Sequence, residues 1–146
     1  MSILSSWLRI EADKLTVERI KKIKEAPFAS NDYSKIFATT FEINEFKFIK
    51  IKVLGPTQVE TFDGCKVKFE GAFEFIEIES DSTEINTDFS FSLGIGITEF
   101  DIDLEKELID MIIHEKLESI SITFSKITIK FFINDISLLK SIINPE

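Results

Sequence analysis

The segment from residue 85 to residue 97 reads INTDFSFSLGIGI and alternates between apolar residues and small or polar ones. Successive side chains of a β-strand point to opposite faces of the sheet, so this period of two predicts one strand with a buried face and a polar face. Phe89, Phe91, Leu93 and Ile95 then point into the core. The pattern therefore predicts an antiparallel sheet that is covered on one side.

The other face of the same segment carries Ser90, Ser92, Gly94 and Gly96, which have little side-chain bulk. Glycine weakens a strand, so its presence there indicates a bend or a closely approaching neighbour. We interpret these four residues as a candidate interface that accepts another subunit at short distance. A flexible bend near the end of a long strand is the alternative interpretation.

Slips in the alternation elsewhere predict that the sheet is curved. The runs FKFIKI (46–51) and FEFIEI (73–78) are apolar at two alternating positions and then slip by one residue. A similar slip separates Phe124 from Ile127 within a long strand predicted over residues 119–133. A β-bulge absorbs such an extra residue and bends the strand, so the slips favour long, bulged strands. Burial of both strand faces is the alternative.

Asp63-Gly64 has the composition of a two-residue β-hairpin turn. It lies between residues 57–62 and residues 65–79, two runs that read as strands, and this is the spacing that a type I′ hairpin requires. We therefore predict that these two runs pair with each other.

Three helices are predicted around the strands. The first spans residues 3–24, where apolar residues recur at loosely helical spacing. A second helix follows the acidic residues Asp101 and Asp103, either of which is a suitable N-cap. A short terminal helix begins after Asn134 or Asp135 and is stopped by Pro145.

The resulting order is helix, antiparallel meander, helix, strand, helix. It predicts an α+β fold in which a curved antiparallel sheet, a meander with long strands, is covered on its apolar face by two or three helices. A chain of 146 residues has the size of one ordinary domain, and no low-complexity segment or linker divides it. We therefore predict that residues 1–146 form a single domain.

The net charge of −9 is concentrated in residues 57–118, which hold 17 acidic and 4 basic residues. Nucleic-acid binding needs clustered lysine and arginine, and Arg9 and Arg19 are the only arginines in the chain. A nucleic-acid partner is therefore not expected. The acidic segment suits either a basic protein partner or a solvated face that keeps the protein in solution.

Targeting signals and cysteine usage indicate the compartment. The N-terminal segment lacks a basic start followed by a long apolar run, and no stretch approaches the roughly 18 apolar residues of a membrane span. Cys65 is the only cysteine, which excludes an internal disulfide. We expect a soluble, cytoplasmic protein without a transmembrane segment.

The sequence contains no catalytic or cofactor signature. His114 is the only histidine, lies within a predicted helix and has no nucleophile paired with it by spacing, so we interpret it as a structural or surface residue. Cys65 follows a predicted turn, where the chain is usually exposed, but its acidic neighbours disfavour a reactive thiolate. We expect no catalytic residue and no cofactor.

A run of acidic residues is the best metal candidate, because calcium prefers several converging oxygen ligands. An EF-hand loop has glycine at its sixth position and lies between helices, whereas the sixth residue here is Ser82 and the flanking segments read as strands. We therefore expect no metal site. The run consists of Glu77, Glu79, Asp81, Glu84 and Asp88.

These observations predict a protein that is not an enzyme and serves as a structural or assembly subunit, bound to other protein subunits in a homo- or hetero-oligomer. Long strands, the small-residue face and the uneven acidity favour this class. An acidic binder of a basic partner is a subtype. The alternative is a carrier of an apolar small molecule or lipid, held in a cavity between sheet and helices that Phe89, Phe91, Leu93 and Ile95 line.

Overall fold

The computed structural model describes residues 3–144. The helices in this range are α1 (Ile3–Lys21), α2 (Lys106–Ile113) and α3 (Ile136–Ile143). The strands are β1 (Ala29–Ser30), β2 (Lys35–Ile43), β3 (Phe46–Gly55), β4 (Glu60–Thr61), β5 (Cys65–Glu70), β6 (Phe75–Glu79), β7 (Ile85–Asn86), β8 (Asp88–Ser90), β9 (Ile95–Asp103), β10 (Ser119–Phe124) and β11 (Ile127–Ile133).

Nine of these strands form one antiparallel sheet that curls into a half-barrel. Their order across the sheet is β6-β5-β10-β11-β1-β2-β3-β9-β8, and β4 pairs with β7 in a separate two-stranded ribbon. The predicted α+β fold with a curved antiparallel sheet and covering helices is confirmed. The sheet is not a simple meander, because β10 and β11 are inserted between β5 and β1.

The inner face of the curled sheet and the helices α2 and α3 form the core. Cross-strand partners such as Ala38 and Ile51 on β2 and β3 present apolar side chains to this face, and Leu108 of α2 and Leu139 of α3 cover them. Burial of such side chains is the main favourable term in folding. Among the most deeply buried core residues are Phe28, Ile36, Ile49, Ile51, Phe69, Ile102, Leu108, Ile112, Phe124 and Phe131.

The sequence slip at residues 46–51 is not a bulge. Strand β3 pairs residue by residue with β2 on one side and with β9 on the other, without an extra residue. The slip arises because both faces of this strand carry apolar side chains. Ile49 and Ile51 are buried on the inner face, whereas Phe48 lies on the outer face and stacks on Phe41 at a ring-centroid distance of 5.2 Å.

Two other breaks in the alternation are tight turns. The predicted strand 119–133 is a hairpin, because Phe124 pairs with Ile127 across the two-residue turn Ser125-Lys126. Strands β2 and β3 are likewise joined by Asn44 and Glu45, whose φ angles of 49° and 72° are those of a type I′ turn. The curvature of the sheet was predicted correctly, but bulges in these strands are not its cause.

The alternating segment 85–97 is not one strand. It comprises β7, β8, a turn at residues 91–94 and the start of β9, and Ser90 pairs with Ile95 across the turn. Gly94 has a φ angle of 71°, in the left-handed region that glycine adopts without strain. Phe91 therefore lies at a hairpin tip with 80% of its surface exposed, and its predicted place in the core is wrong.

The predicted hairpin at Asp63-Gly64 is also wrong. Strand β4 pairs with β7, while β5 pairs with β6 and β10. The N–H group of Gly64 donates to the carbonyl of Thr83 at 2.7 Å, so this turn is closed by a distant segment. The predicted run 65–79 is divided by a second turn, where the Gly71 N–H donates to the Glu74 carbonyl at 2.8 Å.

The predicted N-cap is correct for α3 and wrong for α2. Asp135 caps α3, because its carboxylate accepts a hydrogen bond from the Leu138 N–H at 2.9 Å. Pro145 lies outside the described residues. Helix α2 begins after Glu105, whose side chain makes no capping hydrogen bond. The predicted caps Asp101 and Asp103 are wrong because both residues belong to β9.

The different burial of two phenylalanines can be tested by truncation. We expect Phe131→Ala to lower the free energy of unfolding by about 3–5 kcal/mol, because this fully buried ring leaves a cavity. Phe91→Ala should change it by no more than about 0.5 kcal/mol, as is usual for exposed positions. Urea denaturation measures both, and equal losses would show that Phe91 is packed in the core.

Candidate functional site

Helix α1 lies on the outer side of the sheet, over β8 and β9, and polar contacts attach it there. The Thr16 hydroxyl donates to one oxygen of Asp88 at 2.5 Å, and the Arg19 guanidinium donates to the other at 2.9 Å. The same guanidinium donates to Glu99 at 2.5 Å. Partial burial alone lowers the pKa of Arg19, but these carboxylates outweigh it and raise the pKa above its ordinary value.

Asp13 attaches the middle of α1 to the turn at residues 91–94. Its carboxylate accepts hydrogen bonds from the Phe91 N–H at 2.7 Å and from the Ser92 hydroxyl at 2.5 Å. These bonds favour the ionised form, and the Ser92 hydroxyl contributes most to a pKa of Asp13 below its ordinary value. The turn is therefore held beside the helix.

These contacts fix which side of α1 faces the protein. Asp13, Thr16 and Ile20 follow one another at helical spacing and form the side against the sheet, where Thr16 is buried. Leu4, at 65% exposure, and Leu15, at 68%, are on the side that faces solvent. The predicted helix is confirmed, but its apolar residues are not a core stripe. Polar side chains attach the helix to the sheet, and its solvent-facing side carries exposed leucines together with Glu11 and Glu18.

We define the α1 apolar surface as the exposed large apolar side chains of α1 together with those of the adjoining turn. The turn belongs to it because Asp13 holds the turn against the helix. Its eight members are Ile3, Leu4, Trp7, Leu8, Ile10, Leu15, Phe91 and Leu93.

The four small residues of the predicted interface do not share one face. Ser90 pairs with Ile95 and Gly96 pairs with Phe89, so Ser90 and Gly96 point to opposite sides of the hairpin. Both are buried within the chain, whereas Ser92 and Gly94 are exposed. The prediction that these residues contact another subunit stays a prediction, restricted to Ser92 and Gly94.

At Gly96 a neighbouring segment approaches the backbone closely, as the glycine within a strand predicted. A Cβ atom at this position would lie 2.6 Å from the Cγ2 atom of Thr87 and 2.7 Å from the carbonyl oxygen of Asp88. The closely approaching neighbour is therefore the strand β8 of the same chain. Any larger residue would push β8 away from β9 and disturb the anchor of α1.

The acidic residues proposed for calcium are spread over several roles. Asp88 is an anchor for α1. Asp81 lies near Asp101 and Asp103; burial together with these two carboxylates raises the pKa of Asp81. Burial also raises the pKa of Asp101. Across residues 3–144, no group of three or more His, Cys, Asp or Glu side chains has a geometry that fits a metal ion.

His114 and Cys65 take no part in a common site. His114 is exposed and is the C-cap residue of α2. Cys65 is the first residue of β5 and is buried, so its predicted exposure after a hairpin turn is wrong. Burial raises the pKa of its thiol to about 12, which keeps the thiol protonated in neutral solution.

A small cavity lies beside the sheet. It lies between Ser34, Val53, Thr98, Phe124 and Ile129 and has a volume of about 10 Å³, enough for a single water molecule. The stripe proposed to line a ligand cavity is divided by the turn at residues 91–94, with Phe91 in solvent. The carrier hypothesis stays a prediction and gains no support from these features.

The sequence contained a signal for the α1 apolar surface. Alternating steps of four and three residues place five side chains on one stripe of α1, which we call the seam. Its members are Leu4, Leu8, Glu11, Leu15 and Glu18, so two charged residues interrupt the leucines. A seam against the protein's own core seldom contains exposed glutamates. The glutamates therefore indicate that this stripe is not buried in the core of the same chain.

Comparison with known proteins assigns no family. The chain matches no protein-family model, no curated protein and no solved structure. None of the helices described between residues 3 and 144 is long and apolar enough to cross a membrane. The function must therefore be inferred from the residues themselves.

Removal of the arginine anchor should loosen α1 without unfolding the sheet. We expect Arg19→Met to increase amide hydrogen exchange of α1 about five-fold, which corresponds to roughly 1 kcal/mol for partly exposed ion pairs. Lys14→Met is the matched control, because the ion-pair partner of Lys14 is Glu11 on the same helix. Equal exchange in both variants would show that Arg19 does not anchor the helix.

The buried thiol predicts low chemical reactivity. With a pKa of about 12, Cys65 stays protonated below that pH, and the sheet also shields it from reagents. We expect alkylation by iodoacetamide at pH 8 to be at least about a hundred-fold slower in the folded protein than in urea. Mass spectrometry of timed samples measures both rates, and similar rates would place the thiol at the surface.

Proposed function

We propose that this protein is a non-enzymatic assembly subunit that binds another protein through the α1 apolar surface. The observation that carries the proposal is the orientation of α1, which polar contacts attach to the sheet while most of its large apolar side chains face solvent. Trp7 and Leu8 are 55% and 54% exposed in the middle of this surface, and Phe91 is 80% exposed beside it.

The area of the α1 apolar surface fits a protein interface. Aromatic side chains bury about 150–250 Å² each when fully covered. The eight members are on average roughly two-thirds exposed, so at the lower value of about 150 Å² each the surface amounts to about 800 Å². A stable interface covers about 800 Å² on each partner. The largest apolar patch of a typical monomer is about 300–600 Å².

The attachment of α1 supports binding with little loss of conformational freedom. Three side chains in the C-terminal half of the helix, Asp13, Thr16 and Arg19, attach it to β8, β9 and the turn at residues 91–94. A surface that is held in its bound geometry before the partner arrives loses less entropy on binding. The fixed orientation also prevents the helix from turning its leucines toward the sheet.

Charge favours a protein partner over a lipid surface. Glu11 and Glu18 lie on the solvent-facing side of α1 among the leucines, and the chain carries a net charge of −9. Helices that lie in a membrane interface present basic residues around an apolar face. Carboxylates on this face would be repelled by the anionic lipids that such helices bind.

The acidic segment 57–118 gives weaker support for a basic partner. Part of its charge is neutralised within the chain, because Asp88 and Glu99 both bind Arg19, and Glu99 also lies 3.7 Å from Lys52. The side chains of the α1 apolar surface are much more exposed than those of the core. This surface is therefore the basis of the proposal.

A charge placed on the surface tests the proposal. We expect the wild-type protein to have a native mass above the 16.8 kDa of one chain, either when purified or in extract of the cells that produce it. Trp7→Glu should reduce the native mass to that of one chain, because an unpaired carboxylate opposes burial of the surface. Native mass spectrometry of the purified protein and size-exclusion chromatography of the extract measure this.

Phe46→Glu is the matched control, because Phe46 is 70% exposed but lies at the turn between β2 and β3. This variant should keep the wild-type native mass. If Trp7→Glu also keeps that mass in both preparations, the α1 apolar surface does not bind a partner and the proposal is wrong.

A further inference from the structure

We infer that the partner at the α1 apolar surface is a second copy of this chain, bound through an antiparallel pair of α1 helices. The inference rests on the proposed function and specifies its partner. Its basis is the seam formed by Leu4, Leu8, Glu11, Leu15 and Glu18 on the solvent-facing side of α1.

The spacing of this seam is that of two helices packed side by side. Alternating steps of four and three residues keep side chains on one stripe of a helix, which then interdigitates with an equivalent stripe. The stripe lies opposite Asp13 and Thr16, which face the sheet, so a second helix meets no part of the protein's own body there.

The charges in the seam select the antiparallel orientation. A parallel pair in register would place Glu11 against Glu11 and Glu18 against Glu18, and like charges across an interface are unfavourable. An antiparallel pair centred between Leu8 and Glu11 instead places Leu4 opposite Leu15 of the second copy. Glu18 then lies at the end of the contact, where water reaches it.

Glu11 does not oppose this arrangement. In the antiparallel register its methylene groups lie opposite Leu8 of the second copy, and its carboxylate is held at the margin by Lys14 of its own helix at 3.3 Å. Long charged side chains commonly cover apolar neighbours with their aliphatic part while the charged end stays in water.

A two-fold axis doubles each favourable contact. In an isologous dimer the same surface is used by both copies, so the contact between Leu4 and Leu15 occurs twice. The contact covers Leu4, Leu8 and Leu15 of each copy, which are 65%, 54% and 68% exposed in the single chain. No second kind of surface is required to complete the contact.

The first test is the mass of the purified chain. We expect light scattering across a concentration series to show a dimer, and Leu4→Glu to weaken dimerisation about a hundred-fold or more. Circular dichroism should show that this variant stays folded, because Leu4 is exposed in the single chain. Phe46→Glu is again the control and should dimerise as the wild type does.

The second test is the register. Leu4→Cys and Leu15→Cys chains, one carrying a tag, are mixed and treated with a short bismaleimide. We expect the mixture to give cross-linked pairs of one Leu4→Cys and one Leu15→Cys chain, whereas each variant alone gives few. The native Cys65 is buried and serves as the internal negative control. Cross-linking of Leu4→Cys to itself would contradict the antiparallel orientation.

The outcomes separate this inference from the proposed function. A purified chain that is monomeric, together with a complex in extract that Leu4→Glu abolishes, overturns the dimer but supports an assembly role with a different partner. A purified dimer that Leu4→Glu leaves intact overturns the inference, because the contact then lies elsewhere. A monomer without any α1-dependent complex in extract overturns both.

Discussion

The pairing of a two-residue strand, β1, joins the two halves of the nine-stranded sheet. Ala29 pairs with Ile133 of β11 on one side and with Ile36 of β2 on the other, and it is completely buried. The carbonyl of the preceding Phe28 accepts the N–H group of Asn134. Without this junction the strands β6, β5, β10 and β11 would separate from the strands that carry α1, and the curved inner face would not close around α2 and α3.

The two faces of this sheet have different relations to the helices. The inner face excludes water because apolar side chains of α2 and α3 cover it, and this burial stabilises the fold. The outer face binds α1 through ions and hydroxyl groups, such as Arg19 with Asp88 and Glu99. Exposed ion pairs stabilise only weakly, so α1 adds little to the stability of the sheet. Under the proposed assembly role, α1 instead presents its exposed side chains to a partner.

The sequence predicted well which segments form helices and strands, but it predicted poorly where turns interrupt the strands. Helical spacing identified α1 and α3, and apolar alternation identified a curved antiparallel sheet. Alternation continues through the hairpin turn at residues 91–94, so Phe91 was indistinguishable from a core residue. The partner of β4 was not predictable either, because β7 lies far along the chain and only three-dimensional packing brings the two together. For α1, the glutamates among its leucines were a signal in the sequence, and the contacts of Asp13 and Thr16 show that this side faces solvent.

The position of β6 at one margin of the sheet has a consequence for aggregation. An unpaired margin is a template on which a second sheet can grow, and natural proteins protect such margins with charges. Glu77 and Glu79 project from the same face of β6, and their register partners on β5 are Lys68 and Lys66. A second β6 laid alongside would bring four carboxylates together, and their repulsion discourages sheet extension into fibres.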